Sequence, residues 1–269
     1  MAPPPCSPRW KTFLHTPIKD DFLLEVQLLL LSFSIGIQDA ASFPDYHCFA
    51  SNQTGNTVLL AVGVAKLTTL FSLSNIGISL SMFVLGGFLP GQLGNYLGPR
   101  KRWWLIFTSV IQTALVFIAA GIQYAGPNPV LDTGPQALAV ISLLAFSSGA
   151  QVAMARGLNV TEITTAMATA AYIDIFIDEN MFAKRNRRRN RRVAFLVSLF
   201  AGSFAGAIAY KTRGSPFALV VSGTGKALVT VSLAANKGIG DEEVEGRQKM
   251  EESSRVKNCS WWCSNPSPK

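Results

Sequence analysis

An apolar run occupies Phe22–Phe43 (FLLEVQLLLLSFSIGIQDAASF) and is long enough to cross a lipid bilayer as one helix. A helix that spans the hydrocarbon core needs about 20 predominantly apolar residues. Five further runs of this kind follow, at Ser72–Leu97, Trp103–Tyr124, Gln136–Ala155, Val193–Tyr210 and Pro216–Ala235. The last run is the weakest, because it contains Lys226 and two glycines. The pattern predicts an all-α polytopic membrane protein.

The charge distribution supports this class. Only 15% of the 269 residues are charged, against about 25% in an average soluble protein. The charges concentrate near the two ends and in Lys184–Arg192 (KRNRRRNRR), which carries most of the net charge of +8. A soluble domain with so few charges elsewhere would expose large apolar patches. This distribution argues against a soluble enzyme or nucleic-acid-binding domain. The absence of Gly-x-Ser-x-Gly and His-Glu-x-x-His motifs predicts no enzyme, no catalytic residue, no metal and no cofactor.

Two further segments are too short or too polar for a full span. Thr54–Ala65 is apolar but ends before Lys66, and Thr161–Ile177 contains Glu162 and Asp174. Irregular or broken helices are tolerated at membrane depth where protein or a water-filled cavity shields them. Both segments are predicted to be short or re-entrant helices.

Basic residues predict the orientation, because cytoplasmic loops of membrane proteins are enriched in Lys and Arg. If both short segments return to the side they start from, then Arg100–Arg102, Arg156 and Lys184–Arg192 all face the cytoplasm. We therefore expect six full spans, cytoplasmic termini and contact between Lys184–Arg192 and anionic lipid headgroups. The alternative for this basic loop is a nuclear-localisation or RNA-binding patch.

These features divide the chain into three parts. Residues 1–21 are predicted to form a cytoplasmic tail, and residues 22–235 a multi-pass transmembrane domain with halves at about 22–124 and 136–235. Residues 236–269 are rich in charge and are predicted to form a disordered polar tail. The sequence does not identify the particular membrane.

A short motif recurs at the ends of the first and fourth full spans. Gly36-Ile-Gln38-Asp-Ala40 returns as Gly149-Ala-Gln151-Val-Ala153, and each copy precedes one of the two short segments. Because each copy contains three full spans, the two halves would have opposite orientations in the membrane. Such inverted repeats are common in secondary transporters, where broken helices at the repeat interface form the binding site.

The same residues resemble a known family. Ser34–Ala61 (SIGIQDAASFPDYHCFASNQTGNTVLLA), with its Thr-Gly-Asn turn, is similar to the YoaK-like membrane family, catalogued as domain of unknown function 1275. Leu144–Asp174 is similar to the second half of that family, although Ala170 stands where the family has Gly. The proline-rich start and Tyr172–Asp178 look like its fungal branch. The resemblance covers about residues 22–235 and implies a multi-span membrane protein without an established reaction.

In the first half, Asp39 is an ionisable residue in an apolar stretch, which normally requires a partner or a role. It is predicted to be a proton or cation site with Gln38 and Asn56 nearby. The alternative is that Asp39 caps the helix at the outer interface. Thr54-Gly55-Asn56 opens the short helix, where free amide N–H groups can bind an anionic group. The alternative there is a tight turn with a satisfied helix cap.

In the second half, the matching candidates are Gln151, Thr165, Thr169 and Asp174. The two threonines are predicted to face Asp174 in a second ion or substrate site. The alternative is that Asp174 is an interfacial acid near the basic loop.

The function predicted from these residues is a small-solute or ion-coupled secondary transporter. Its partners are the lipid bilayer and a small solute or a proton, with no nucleic acid. The alternative is a non-transporting membrane scaffold or assembly factor that acts through the basic loop and the charged tail.

Overall fold

The computed structural model describes residues 13–67, 70–126, 130 and 132–238, and in these ranges the chain is helical without β-strands. Eight helices carry the fold and are numbered here in chain order: α1 (Phe22–Tyr46), α2 (Gln53–Val64), α3 (Leu73–Leu97), α4 (Arg102–Ala125), α5 (Pro135–Gly157), α6 (Ala168–Phe176), α7 (Arg187–Arg213) and α8 (Ser215–Ser232). A 3₁₀ turn, Leu233–Ala235, continues α8.

Six of these helices, α1, α3, α4, α5, α7 and α8, are long and apolar enough to cross a membrane. The other two have only 12 residues (α2) and 9 residues (α6). The prediction of six spanning helices and two short ones is thus confirmed, with one difference in length. The second short helix begins at Ala168 instead of Thr161, because the chain before it contains left-handed backbone at Thr165, where φ is 63°.

The outward faces of α3 and α7 are apolar. Phe88 on α3 and Val197, Phe200 and Phe204 on α7 are exposed, and Phe200 keeps 71% of its surface. Exposed apolar surface on this scale marks contact with a membrane or another apolar partner. Together with the six apolar helices, it identifies an integral membrane protein.

Glycines bring α3 and α5 into close contact. A Cβ atom at Gly86 would collide with the backbone of Phe146, and one at Gly149 would collide with the backbone of Phe83. Small residues allow membrane helices to approach at backbone distance. This pair therefore requires glycine at both positions.

The α1–α7 pair is built in the same way. Gly202 lies against the backbone of Phe33, and Gly36 lies against the backbones of Leu199 and Ser203. Leu29 contacts Ser198, Phe33 contacts Gly202 and Ile37 contacts Gly206, so the residue numbers rise together and the two helices are parallel.

The remaining contacts show the directions of the other helices. Gln38 on α1 contacts Ser148 on α5, whereas Leu31 contacts Gln151. Because the residue numbers rise along one helix and fall along the other, α1 and α5 are antiparallel. The pairs α4–α8, α1–α8 and α4–α5 are antiparallel as well.

Neither short helix connects opposite ends of the bundle. The start of α3 lies beside the end of α1, where the Asn75 amide donates to the Tyr46 carbonyl oxygen at 3.2 Å. The start of α7 lies beside the segment after α5, where Arg191 donates to Glu162 at 3.4 Å. We call the end of the bundle that holds Tyr46 the upper end, and the end that holds Arg191 the lower end.

The buried core has two apolar clusters, one toward each end. The upper cluster includes Ile37, Leu144 and Leu219, and the lower cluster includes Leu28 and Phe195. A buried band of polar side chains, called the polar layer below, lies between them: Ser34, Gln38, Gln112, Ser147, Ser148, Gln151, Ser222 and Lys226.

The predicted tails lie largely outside the described residues, which begin at residue 13 and end at residue 238. The cytoplasmic and disordered character of these tails stays a prediction. Both ends of the described chain meet at the lower end, where Ile18 forms an isolated bridge with Gly238.

Candidate functional site

Gln38 lies at the centre of the polar layer and is fully buried. Its amide nitrogen donates to the Ser222 hydroxyl at 2.9 Å, and its amide oxygen accepts from the Ser148 hydroxyl at 3.4 Å. Ser222 in turn donates to the backbone oxygen of Ser34 at 2.8 Å. These bonds join α1, α5 and α8 in the middle of the bundle, where few polar groups are expected.

Lys226 is the charged residue of the polar layer, with 0% of its surface exposed. Its ammonium donates to the Ser147 hydroxyl at 2.9 Å, and Ser147 donates to the backbone oxygen of Gln112 at 3.0 Å. Within the described residues Lys226 forms no ion pair. A lysine at the centre of a transmembrane helix costs about 2.5–3.5 kcal/mol on insertion scales, so its presence calls for a role.

Two amide oxygens in the polar layer have no hydrogen-bond donor among the described residues. Gln151 donates to the Leu31 carbonyl oxygen at 3.1 Å, and Gln112 contacts the sulfur of Met154 at 3.9 Å. Oε1 of each glutamine is buried and unpaired. Buried polar atoms in native proteins almost always have partners, so these oxygens are acceptors available to a solute or water.

An upper cleft of about 760 Å³ opens between α4, α7 and α8. Its apolar wall includes Phe117, Gly121, Tyr124, Phe217 and Val220, and its polar groups are Asp45, Gln123, Tyr210, Arg213 and Ser215. A mostly apolar cleft with a few convergent polar groups is typical of small-molecule sites.

Asp45 is the acid of the upper cleft and is only 8% exposed. It accepts hydrogen bonds from the Tyr210 hydroxyl at 2.7 Å and the Gln123 amide at 3.2 Å. Gln123 also accepts from Ser215 at 2.9 Å. All these partners are neutral, so the carboxylate can still pair with a cation or a proton.

A lower cleft of about 390 Å³ opens between α3, α4 and α5. Its lining includes Asn95, Trp104, Thr108, Met154 and Arg156. Met154 lies on its side toward the polar layer, because its sulfur also contacts Thr108 at 3.6 Å and Gln112 of the polar layer.

Phe117 lines the upper cleft and reaches the edge of the polar layer. A Cβ atom at Gly223 would come within 2.9 Å of the Phe117 ring, so the ring rests directly on α8 there. Gly223 lies within one helical turn of Lys226. Phe117 and Met154 therefore each line a cleft and also contact the polar layer or the residue beside it.

The structure places Asp39 away from the polar layer. Its carboxylate accepts from the backbone N–H of Ser51 at 2.8 Å and from the Ser51 hydroxyl at 2.5 Å. Gln38 contacts α8 and α5 instead, so Gln38 and Asp39 bind different parts of the fold although they are adjacent in sequence. Asp39 connects α1 to the loop that precedes α2.

The turn at the start of α2 is held by its own side chains. Asn56 is buried and binds both backbone groups of Phe49, donating to the oxygen at 2.8 Å and accepting from the N–H at 2.9 Å. The Asn52 side chain accepts from the N–H of Gly55 at 3.2 Å, and Thr54 is exposed. Asn52 thereby caps the helix.

The second predicted set is not gathered in one place. Gln151 lies in the polar layer, whereas Asp174 lies near the lower end and pairs with Arg192 at 3.3 Å. Thr165 is buried and its hydroxyl has no partner among the described residues, while Thr169 is exposed. Neither threonine contacts Asp174.

Part of the basic loop is used inside the protein. Arg191 is 9% exposed and pairs with Asp20 and Glu25 at 2.7 Å each. Lys184 and Arg185 are exposed. Nearby, hydrogen bonds from the Asn180 backbone and the Asn186 side chain lower the pKa of Asp178 below its usual value.

The sequence analysis did not single out Lys226, Asp45 or their partners as functional. The signal for Lys226 was present, since a charge interrupts an apolar run there. The sequence gives no such signal for Asp45, because this residue lies near a helix end, where acidic residues are common.

Comparison with known proteins gives one match. The model of a family described as "Protein of unknown function (DUF1275)" matches residues 27–232. This confirms the resemblance carried by Ser34–Ala61, whereas the fungal branch stays a prediction. No curated protein and no solved structure matches the chain.

Proposed function

The chain belongs to the DUF1275 family, and on this premise we propose that it is a small-solute secondary transporter whose path runs through the polar layer. The observation that carries the proposal is the position of the two clefts. They lie toward opposite ends of the bundle. One lining residue of each cleft reaches the polar layer or its edge, since Met154 contacts Gln112 and Phe117 contacts Gly223 beside Ser222. Alternating access requires a central site that one end or the other can reach.

The helix pairs support an inverted repeat. The helices α3 and α5 are parallel, since Gly87 lies against Gly149 and Gly91 lies against Ala153. If α1–α4 correspond to α5–α8, the parallel pair α1–α7 corresponds to the parallel pair α5–α3, and α1–α8 corresponds to α5–α4. The antiparallel arrangement of α1 and α5 gives the two halves opposite directions. The two short helices then lie at opposite ends of the bundle, as an inverted repeat requires.

Individual residues follow the same correspondence. Phe33 and Phe146 each cover a glycine of the partner helix, and Gly36 and Gly149 each approach a partner backbone. Gln38 and Gln151, two residues after these glycines, both lie in the polar layer. A symmetric pair of amides at the repeat interface is a suitable solute contact.

The remaining predicted residues belong to the two short-helix regions. Asp39, Thr54, Gly55 and Asn56 lie at the upper short helix but do not line the upper cleft. Thr165, Thr169 and Asp174 lie at the lower short helix and do not line the lower cleft. Solute contact at these residues stays a prediction.

We propose that the lower end faces the cytoplasm. Arg100, Arg156 and the basic loop all lie there, where the positive-inside rule favours them. Exposed Lys184 and Arg185 would contact anionic headgroups.

The test is flux into liposomes containing the purified protein, measured with a panel of radiolabelled amino acids, sugars, nucleobases and organic acids. We expect uptake of one class above empty liposomes, and its loss in Gln38→Leu, which removes the central amide. Thr224→Val is the matched control, since Thr224 is exposed on α8 and donates only to its own helix at Val220. Folded wild-type protein without flux for any class would contradict the proposal and favour the scaffold alternative.

A further inference from the structure

We propose that Lys226 is the proton-binding site of this transporter, an inference that rests on the proposed function. It couples solute movement to a proton by holding the proton in the polar layer and exchanging it with one end of the bundle at a time. The ligand is the proton itself, which needs no cavity of its own.

The surroundings of Lys226 are polar but contain no ionisable partner. Ser147 accepts from its ammonium and donates to the backbone of Gln112, so the amine begins a hydrogen-bonded chain from α8 through α5 to α4. From α1, the polar layer presents Ser34 and Gln38. These groups accept or donate hydrogen bonds in either protonation state of the amine.

Most ionisable groups of the helices packed against α8 lie toward the ends of the bundle, and Asp39, at the depth of Gln38, is bound to Ser51. The ionisable groups are Glu25, Asp39, Asp45 and Tyr46 on α1, Arg102 and Tyr124 on α4, Arg156 on α5, and the arginines of the basic loop, Tyr210, Lys211 and Arg213 on α7. In the described part of the chain, no carboxylate oxygen lies within 4.0 Å of the Lys226 amine. A proton on Lys226 is therefore not neutralised by a fixed partner.

The fold does not need an ammonium at this position. A charge without a counter-ion at membrane depth is unfavourable, and an unbranched apolar side chain of similar length would fill the same space. The one side-chain hydrogen bond that Lys226 forms among the described residues, to Ser147, contributes too little to offset the cost of the buried charge. Ionisable residues held at membrane depth against such a cost commonly mark proton relays.

The two clefts provide access from either side. With the upper route open at Phe117, a hydronium ion transfers one proton to the nitrogen lone pair. Its O–H bond breaks, an N–H bond forms, and the products are the ammonium and a water molecule. With the lower route open at Met154, that N–H bond breaks, its electron pair stays on nitrogen, and the proton leaves with water. One proton crosses for each such cycle, and no oxidant or reductant takes part.

Two variants separate a coupling lysine from a structural one. Lys226→Met keeps the length and removes the proton site, and Lys226→Arg keeps the charge but does not release it, because a guanidinium stays protonated in proteins. Lys211→Met is the matched control, since Lys211 is exposed on α7.

The experiment uses liposomes that contain the full chain and a trapped pH dye, with the same solute panel added outside. In the wild type and Lys211→Met, we expect a solute-dependent pH change inside. In Lys226→Met and Lys226→Arg, we expect this change to fall to the level of empty liposomes. We also expect the thermal midpoint of Lys226→Met in detergent to rise by about 2–4 °C or more, because an uncompensated buried charge is gone.

The outcomes distinguish the two proposals. No flux in the wild type overturns the transport function and this inference with it. Solute flux and proton movement that persist in Lys226→Met overturn the inference alone. A lower midpoint in both Lys226→Met and Lys226→Gln shows that the lysine is structural, and also overturns it.

Discussion

Acidic and basic side chains inside this bundle fall into two kinds by the partners they have. Arg191 pairs with three acids at the lower end. Asp39, Asp45 and Lys226 have only neutral partners among the described residues, and those of Asp39 are the backbone and side chain of Ser51. The first kind has a sufficient structural reason in the fold, and the second kind does not.

Replacement of Asp39 tests whether this residue has a structural role only or is also an ion site. Asp39→Asn removes a charged acceptor that holds Ser51 at 2.5 and 2.8 Å. Hydrogen bonds to charged groups are worth about 1.5–3 kcal/mol, so we expect unfolding in detergent at a temperature several degrees lower. Thermal midpoint and liposome flux are measured together.

Ser51→Ala is the control, because it removes the hydroxyl donor and leaves the carboxylate in place. If Asp39 is an ion site, flux falls much further in Asp39→Asn than in Ser51→Ala at a comparable thermal midpoint. Equal flux in both variants would leave Asp39 with a structural role only.

Cys48 provides a second test at this scale. It lies in the loop after α1 and is buried, and this burial raises the pKa of its thiol to about 12. Since the thiolate is the reactive form, we expect no maleimide labelling of Cys48 in the folded protein at pH 7–8, and complete labelling after denaturation. The other cysteines are first replaced by Ser, and a cysteine at exposed Lys66 is the positive control. Rapid labelling of native Cys48 would contradict the burial of this loop.

Helix boundaries were predictable because they depend on local sequence. Five of the apolar runs mark their helices to within three residues, and Asp21 supplies the side-chain cap at the start of α1. The exception is α7, which begins at Arg187 inside the predicted basic loop and not at Val193. The non-helical chain before α6 was not predicted. Thr165 adopts left-handed backbone, and Thr161–Met167 contains no Gly or Asn that would indicate it.

The contacts that build the site were not predictable, because they join distant parts of the chain. Lys226 and Ser147 are 79 positions apart, and Tyr210 and Asp45 are 165 positions apart. Gln38 and Gln151 were found from the sequence since they belong to a repeated motif. For Lys226 the sequence shows a charge in an apolar run, and its partner Ser147 is identified only from the packed helices.

The close helix pairs give a prediction at the scale of elements. Gly149→Ala places a methyl group against the backbone of Phe83 on α3, and such overpacking typically costs about 1–3 kcal/mol. We expect a lower thermal midpoint and less folded protein in detergent. Gly77→Ala on α3 is the control, since a Cβ atom there would meet nothing within 4 Å. An unchanged midpoint for Gly149→Ala would show that α3 and α5 do not pack so closely.

The arrangement of the whole molecule depends on the two short helices. Because each begins and ends at one end of the bundle, six helices cross and the two described chain ends meet at the lower end. If α2 crossed instead, every later helix would reverse and the basic groups would divide between the two sides. The fold and the positive-inside rule thus make the same statement about topology.

Single reporter cysteines test that statement in intact cells. One replaces Lys66, exposed after α2 at the upper end, and the other replaces Lys184, exposed in the basic loop at the lower end. We expect an impermeant maleimide to label the cysteine at position 66 and to label position 184 only after the membrane is permeabilised. The reverse pattern would mean either that the whole protein has the opposite orientation or that α2 crosses the membrane, and either result would overturn the proposed topology. Labelling of both positions from the same side would mean that α6 crosses the membrane, and the inverted repeat would fail with it.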